Sequence, residues 1–166
     1  MTHTDRIQAA RNLLVNITPL KADCGKRCGA ACCQPDESGQ GGMLLFPGEE
    51  ALYPDGPEWA TITDSGLRAQ DNPVYFFTCK GTCPREERPL SCRIFPLTPV
   101  VKDGALSIDL DVRAWPVCPL MTYGIQGFSR EFTAAVHAAM HLLWEDDACR
   151  AYFHLLTEQL AAFQSF

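Results

Sequence analysis

The stretch "CGKRCGAACC", residues 24–33, places four cysteines within ten residues, and two of them, Cys32 and Cys33, are adjacent. Thiols this crowded are held by disulfides, by a metal, by redox catalysis, or by packing with no further role. The choice decides the fold. The run lies near the start of a segment, residues 18–128, that holds all 12 prolines and all 12 glycines of the chain. A segment so punctuated excludes long regular helices. It builds short elements and loops, and a centre of that kind needs a staple.

The compartment narrows the choice. The chain opens "MTHTDRIQAARNLLVNI", with charged and polar residues where a signal peptide has an unbroken apolar run. No window approaches the roughly 18 consecutive apolar residues of a membrane span. The sequence therefore reads as cytoplasmic, with no membrane partner. In a reducing cytosol stable disulfides are rare, and clustered cysteines more often bind metal or carry out redox chemistry. The cysteine count, nine, is odd, so one thiol stands apart from any even-numbered set.

Eight of the nine fall in Gly- and Pro-rich loops. Cys24, Cys28, Cys32 and Cys33 form the first cluster, Cys79, Cys83 and Cys92 the second, and Cys118 follows in "WPVCP". Loops suit metal ligation because a metal draws ligands from several directions to about 2.0–2.3 Å, and glycine permits the backbone angles this requires. Eight thiols can make two four-cysteine sites, one two-metal cluster, or one four-ligand site with spare thiols. Cys32 and Cys33 point in different directions in an extended segment, so they can serve two metals, or one metal and one packing role. All-sulfur ligation fits zinc or an iron–sulfur cluster, with copper(I) next. Neither the two-residue spacing of common zinc ribbons nor the C-x2-C-x2-C run of bacterial ferredoxins is present.

The charges agree with bound anionic sulfur. The protein is acidic, with a formal net charge of −6, which gives no steering toward nucleic acid. Yet Lys21, Lys26, Arg27, Lys80, Arg85, Arg88 and Arg93, half of its 14 basic residues, fall within residues 21–33 and 79–93. Basic groups around thiolates hold them deprotonated and offset the negative charge of a metal–thiolate centre. The plain alternative is a solvated surface patch.

With these residues in view, "CGKRCGAACC" followed by "RPLSCRIFP" resembles the YkgJ-type cysteine-cluster family, a zinc- or iron-chelating domain. That family pairs cysteines ending in Cys-Cys with a later Arg-Pro-x-x-Cys-Arg-x-Phe-Pro, matched here by Arg88, Pro89, Cys92, Arg93, Phe95 and Pro96. The resemblance spans roughly residues 24–118 and leaves the C-terminal helices outside. It implies metal binding by the eight cysteines and supplies no reaction.

Around this centre the periodicity is clearer. Ile7, Ala10, Leu14 and Ile17 predict a helix over 4–17, capped by Thr4 and ended by Pro19. "MLLF" (43–46), "VYFFTC" (74–79) and "ALSIDLDV" (105–112) predict strands, with Lys102-Asp103-Gly104 as a hairpin turn. From Ser129, Phe132, Ala135, Val136, Ala139, Met140 and Leu143 lie on one helical face. A second helix, capped by Asp146, carries Cys149, Tyr152, Phe153, Leu156, Leu160 and Phe163 on one stripe. The short "EDD" link predicts an antiparallel pair that supplies much of the core.

Remaining candidates have simpler readings. His137 and His141 share one helix turn but flank the apolar stripe, and "HAAMH" lacks the glutamate of zinc proteases. Cys149 reads as core. Glu49 and Glu50 read as the start of a short helix rather than a catalytic pair. Trp59, Trp115 and Trp144 read as core or core edge. The expectation is one α+β domain: a metal-stapled centre (24–118), an N-terminal helix and a C-terminal helical hairpin (129–164). Its expected function is zinc binding in a structural or metal-holding role, with no catalytic residue assigned. An iron–sulfur redox protein is the alternative, and a thiol enzyme or metal-handling protein using Cys32 or Cys33 near Arg27 is a third. The expected partner is the metal ion itself, with no protein partner readable.

Overall fold

The computed structural model describes residues 1–35 and 41–164. Helix α1 (His3–Leu13) opens the chain. Its cap is Thr2 rather than Thr4: the Asp5 amide donates to Thr2 Oγ1 at 3.2 Å, and the Thr2 amide donates to Asp5 Oδ2 at 3.0 Å. This reciprocal box satisfies two otherwise orphaned donors. The helix also ends earlier than Pro19, because after Leu13 the bonds tighten to i→i−3, from Leu14 to Arg11 and Val15 to Asn12. Ile7, Ala10 and Leu14 are buried as their spacing requires.

Three antiparallel strands follow, β1 (Met43–Leu44), β2 (Ala60–Ala69) and β3 (Asn72–Cys79), in the order β1-β3-β2. Helix α2 (Gly25–Cys28) precedes them and helix α3 (Leu90–Ile94) succeeds them. A second, two-stranded sheet joins β4 (Leu97–Lys102) to β5 (Ala105–Leu110). Its turn is Asp103-Gly104, with φ of 51° and 76°. Two consecutive positive φ values make the turn whose twist matches that of paired strands.

The chain closes with α4 (Arg130–Trp144) and α5 (Asp147–Gln164). Ser129 Oγ accepts the Phe132 amide at 3.1 Å, and Asp146 Oδ1 accepts the Cys149 amide at 3.1 Å, so both helices start on side-chain caps. They do not pack chiefly on one another. Helix α4 lies mainly along α1, and α5 lies mainly along β4 and β2. The apolar stripes therefore face the rest of the chain instead of closing a self-contained hairpin.

The main core draws residues from α1, α3, β4, α4 and α5, and a smaller cluster of Leu45, Ala60 and Phe77 lies apart from it. Phe46 sits edge-on to Tyr152 and Phe153, with centroids at 5.1 and 6.0 Å. Burial of each such ring stabilises the fold by about 1.5–3 kcal/mol. Two stripe or core assignments fail: Phe163 is 57% exposed and Trp115 56% exposed. Phe163 lies in the last turn of α5, past the reach of the core, and Trp115 projects from the turn after β5. His137 and His141 are exposed and stacked at 6.4 Å, rather than half-buried against the stripe. Both small sheets with surrounding helices agree with an α+β class. Among the described residues no helix is long and apolar enough to cross a membrane.

Candidate metal centre

Several short elements and loops bring the thiols together. Helix α2 carries Cys28, and Cys24 stands at its N-terminal boundary. Gly29 and Ala30 then both adopt left-handed angles, φ 62° and 55°, and the Ala30 amide closes back on the Gly25 carbonyl at 2.9 Å. This reversal starts a short 3-10 turn, Ala31–Cys33, that presents Cys32 and Cys33. A left-handed alanine is uncommon and costs roughly 1–2 kcal/mol. Cys79 ends β3, Cys83 follows in the next loop, Cys92 lies in α3, and Cys118 precedes the 3-10 turn Pro119–Tyr123.

Seven of the eight thiols, all but Cys79, line a single cavity of about 320 Å³. An adjoining recess is lined by Cys79 together with Cys32, Cys33, Cys83 and Cys92. All eight cysteines singled out in the sequence thus border two neighbouring recesses that share Cys32, Cys33, Cys83 and Cys92. All nine cysteines are free thiols, and the ninth, Cys149, is fully buried elsewhere. Among the described residues no three of the eight sulfurs lie within 4.8 Å of one another. Four thiolates around one zinc at 2.3 Å would stand about 3.8 Å apart. The sulfurs are therefore spread more widely than a closed single-ion site.

The basic residues divide their tasks. Arg88 Nε donates to Cys83 Sγ at 3.3 Å. Arg93 is engaged by backbone instead, donating from Nε to the Arg88 carbonyl and from Nη2 to the Glu86 carbonyl, each at 2.7 Å. Arg11 Nη2 and the Tyr53 hydroxyl both donate to the Glu87 carbonyl, at 3.0 and 2.5 Å. Trp59 Nε1 donates to Glu87 Oε2 at 2.9 Å. Residues 86–88 are thus clamped from behind, and the clamp aims the Arg88 guanidinium at the sulfurs. Lys26, Arg27 and Arg85 also border the cavity, but the hydrogen bond to sulfur comes from Arg88. Lys21, Lys26 and Arg27 are exposed, Lys80 donates to the Glu58 carbonyl, and Arg85 pairs with Asp23 at 3.5 Å.

Glu49 sets the position of Cys92. Its carboxylate is fully buried, and Oε1 accepts the Leu90 amide, the first of α3, at 2.7 Å. Oε2 accepts the Phe46 amide at 3.4 Å, and Arg11 Nη1 stands 3.6 Å from Oε1. Burial pushes the Glu49 carboxyl up to about 7, against the pull of Arg11 and of the two amides. Glu49 does begin a 3-10 turn, Glu49–Leu52, as expected, but its side chain serves a different helix. Ser91 Oγ adds a bond to the Leu44 carbonyl and ties α3 to β1.

Thiol electrostatics follow the same layout. Burial, with Cys33 and Cys83 close by, pushes the Cys92 thiol well above its ordinary range. The Cys32–Cys33 pair splits: the hydrogen bond from Cys32 pulls Cys33 down, with help from Arg88, and raises Cys32. The guanidinium beside Cys33 is Arg88, not Arg27. Cys24 is raised by burial and by Cys28 and Cys118.

Comparison with protein-family models, curated proteins and solved structures found no match. The site is therefore read from its own residues. One grouping of potential ligands escaped the sequence reading: His3, Asp146 and Cys149, whose ligand atoms all lie within 4.8 Å of one another. His3 and Asp146 lie at opposite ends of the chain, and no local spacing links them.

Proposed function

We propose that this is a metal-binding protein whose eight loop cysteines hold metal as thiolates. The observation that carries this is the convergence of Cys24, Cys28, Cys32, Cys33, Cys79, Cys83, Cys92 and Cys118 on two neighbouring recesses with shared walls, with a guanidinium donating to one of the sulfurs. Thiols gathered without a metal or disulfide would give up hydration for little gain, whereas metal binding contributes directly to folding in small loop-rich centres. The resemblance of "CGKRCGAACC" and "RPLSCRIFP" to the YkgJ-type family supports the same reading.

Zinc in a structural or metal-holding role is the first assignment. Zinc has no redox chemistry and tolerates any tetrahedral set of thiolates. It predicts a colourless protein that loses structure when a strong chelator is added. A second assignment is an iron–sulfur centre in electron transfer, which the wide spacing of the sulfurs also accommodates. It predicts a brown protein when purified without oxygen, bleached by reductant. Far-ultraviolet dichroism during chelator titration, with the visible spectrum recorded alongside, separates the two.

A further inference from the structure

The geometry points to a second, separate divalent-cation site, formed by His3 Nδ1, Asp146 Oδ2 and the Cys149 thiolate, with zinc the best-matched ion. It is independent of the cysteine cavity.

Two helices build it. His3 is the first residue of α1, Asp146 caps α5, and Cys149 lies in the first turn of α5. Nδ1 of His3 and Oδ2 of Asp146 are 3.0 Å apart, and the Cys149 sulfur completes a set within 4.8 Å. Imidazole, carboxylate and thiolate are the three zinc donors, and three protein ligands leave a fourth position open. The outer contacts fit as well. His3 Nε2 donates to the Pro47 carbonyl at 2.7 Å, which fixes the ring and leaves Nδ1 to face the carboxylate. Zinc-binding histidines commonly donate their other ring N–H to a carbonyl in this way. The ring also lies flush on Gly48: a Cβ there would stand 2.3 Å from Nε2.

Charge supports a cation. Asp146 Oδ1 is taken up by the Cys149 amide, which leaves Oδ2 for the site. Glu50 also acts on the His3 ring, and its Oε2 is buried with no hydrogen-bond partner among the described residues. Arg6, whose charge acts on Cys149, is engaged with Glu145 Oε2 at 2.8 Å and the Leu142 carbonyl at 3.2 Å. Burial and the neighbouring Asp146 carboxylate push the Cys149 thiol well above its ordinary range, so a cation bound there displaces the thiol proton.

Crystals of the protein soaked in zinc, with anomalous diffraction recorded at the zinc edge, test this directly. The expected map has a peak bounded by His3, Asp146 and Cys149, whatever the cysteine cavity holds. Elemental analysis of the Asp146→Asn protein, which keeps a capping side chain, should show one zinc fewer per chain than wild type after zinc loading. Cys149→Ser should match it. A map without that peak, or unchanged zinc content in both variants, leaves a simple His3–Asp146 ion pair and overturns the proposal. The cysteine cavity is read from the same map, so each site succeeds or fails alone.

Discussion

Arg88 Nε donates to Cys83 Sγ at 3.3 Å, and Arg93 holds the Arg88 carbonyl at 2.7 Å. The two arginines of "RPLSCRIFP" thus work as a pair. One offsets thiolate charge, and the other fixes the loop that carries it. This puts one guanidinium directly on a sulfur, while Lys26, Arg27 and Arg85 border the cavity without that contact.

Replacing Arg88 with Ala removes the donor but no sulfur. Loss of an outer partner of this kind typically lowers metal affinity by about 10–100-fold. Competition against a coloured chelator, for wild type and Arg88→Ala, checks this. Equal affinities would show that the guanidinium plays no part in the site.

Glu49 gives the fold a pH signature. Its carboxyl titrates near 7 in the folded chain, against an ordinary value of 4.5. Between those values the folded state holds a proton that the unfolded state has released. The contribution of this group is full below about pH 4.5 and is lost as pH rises through 7. The scale is at most about 3 kcal/mol. Thermal midpoints at pH 5 and pH 8 should therefore converge in Glu49→Gln relative to wild type. Subtracting the two proteins removes the opposing effect of metal–thiolate protonation, and an unchanged pH difference would refute the assignment.

Gly48 has φ of 80°, and a Cβ there would meet the His3 ring. Gly48→Ala should destabilise the protein by more than about 1 kcal/mol, because both the backbone angle and the ring position are lost. Urea unfolding measures it. A midpoint equal to that of wild type would mean that neither matters.

Phe153 is fully buried, edge-on to Phe46 and stacked on Trp144 at 6.1 Å. Phe153→Ala should cost about 3–5 kcal/mol. The same unfolding curve reads this loss, and a cost under about 1 kcal/mol would place α5 outside the cooperative core.

The C-terminal helices were legible because their burial is one-sided and repeats every three to four residues, from Phe132 to Leu160. The β4–β5 turn was legible from Asp103-Gly104. Strand β2 was not, because Thr63, Asp64, Gly66 and Arg68 give it a polar face at a sheet edge, with a register shift between Asp64 and Arg68. Strand β4 was hidden by Pro99 within its run. The eight thiols were legible as a set, since loop cysteines near basic residues stand out in any order. Their partners were not: Glu49 reaches Leu90, and Arg11 reaches Glu87, across distances that only the folded chain closes.

The central claim rests on metal in the cysteine cavity. Protein purified without oxygen, assayed for metal per chain with its visible spectrum and free-thiol count, tests it most directly. The account predicts at least one metal per chain, thiols that react only after chelation, and loss of that metal in Cys83→Ser and Cys92→Ser. Well under one metal per chain, with all thiols titrating freely, would contradict it.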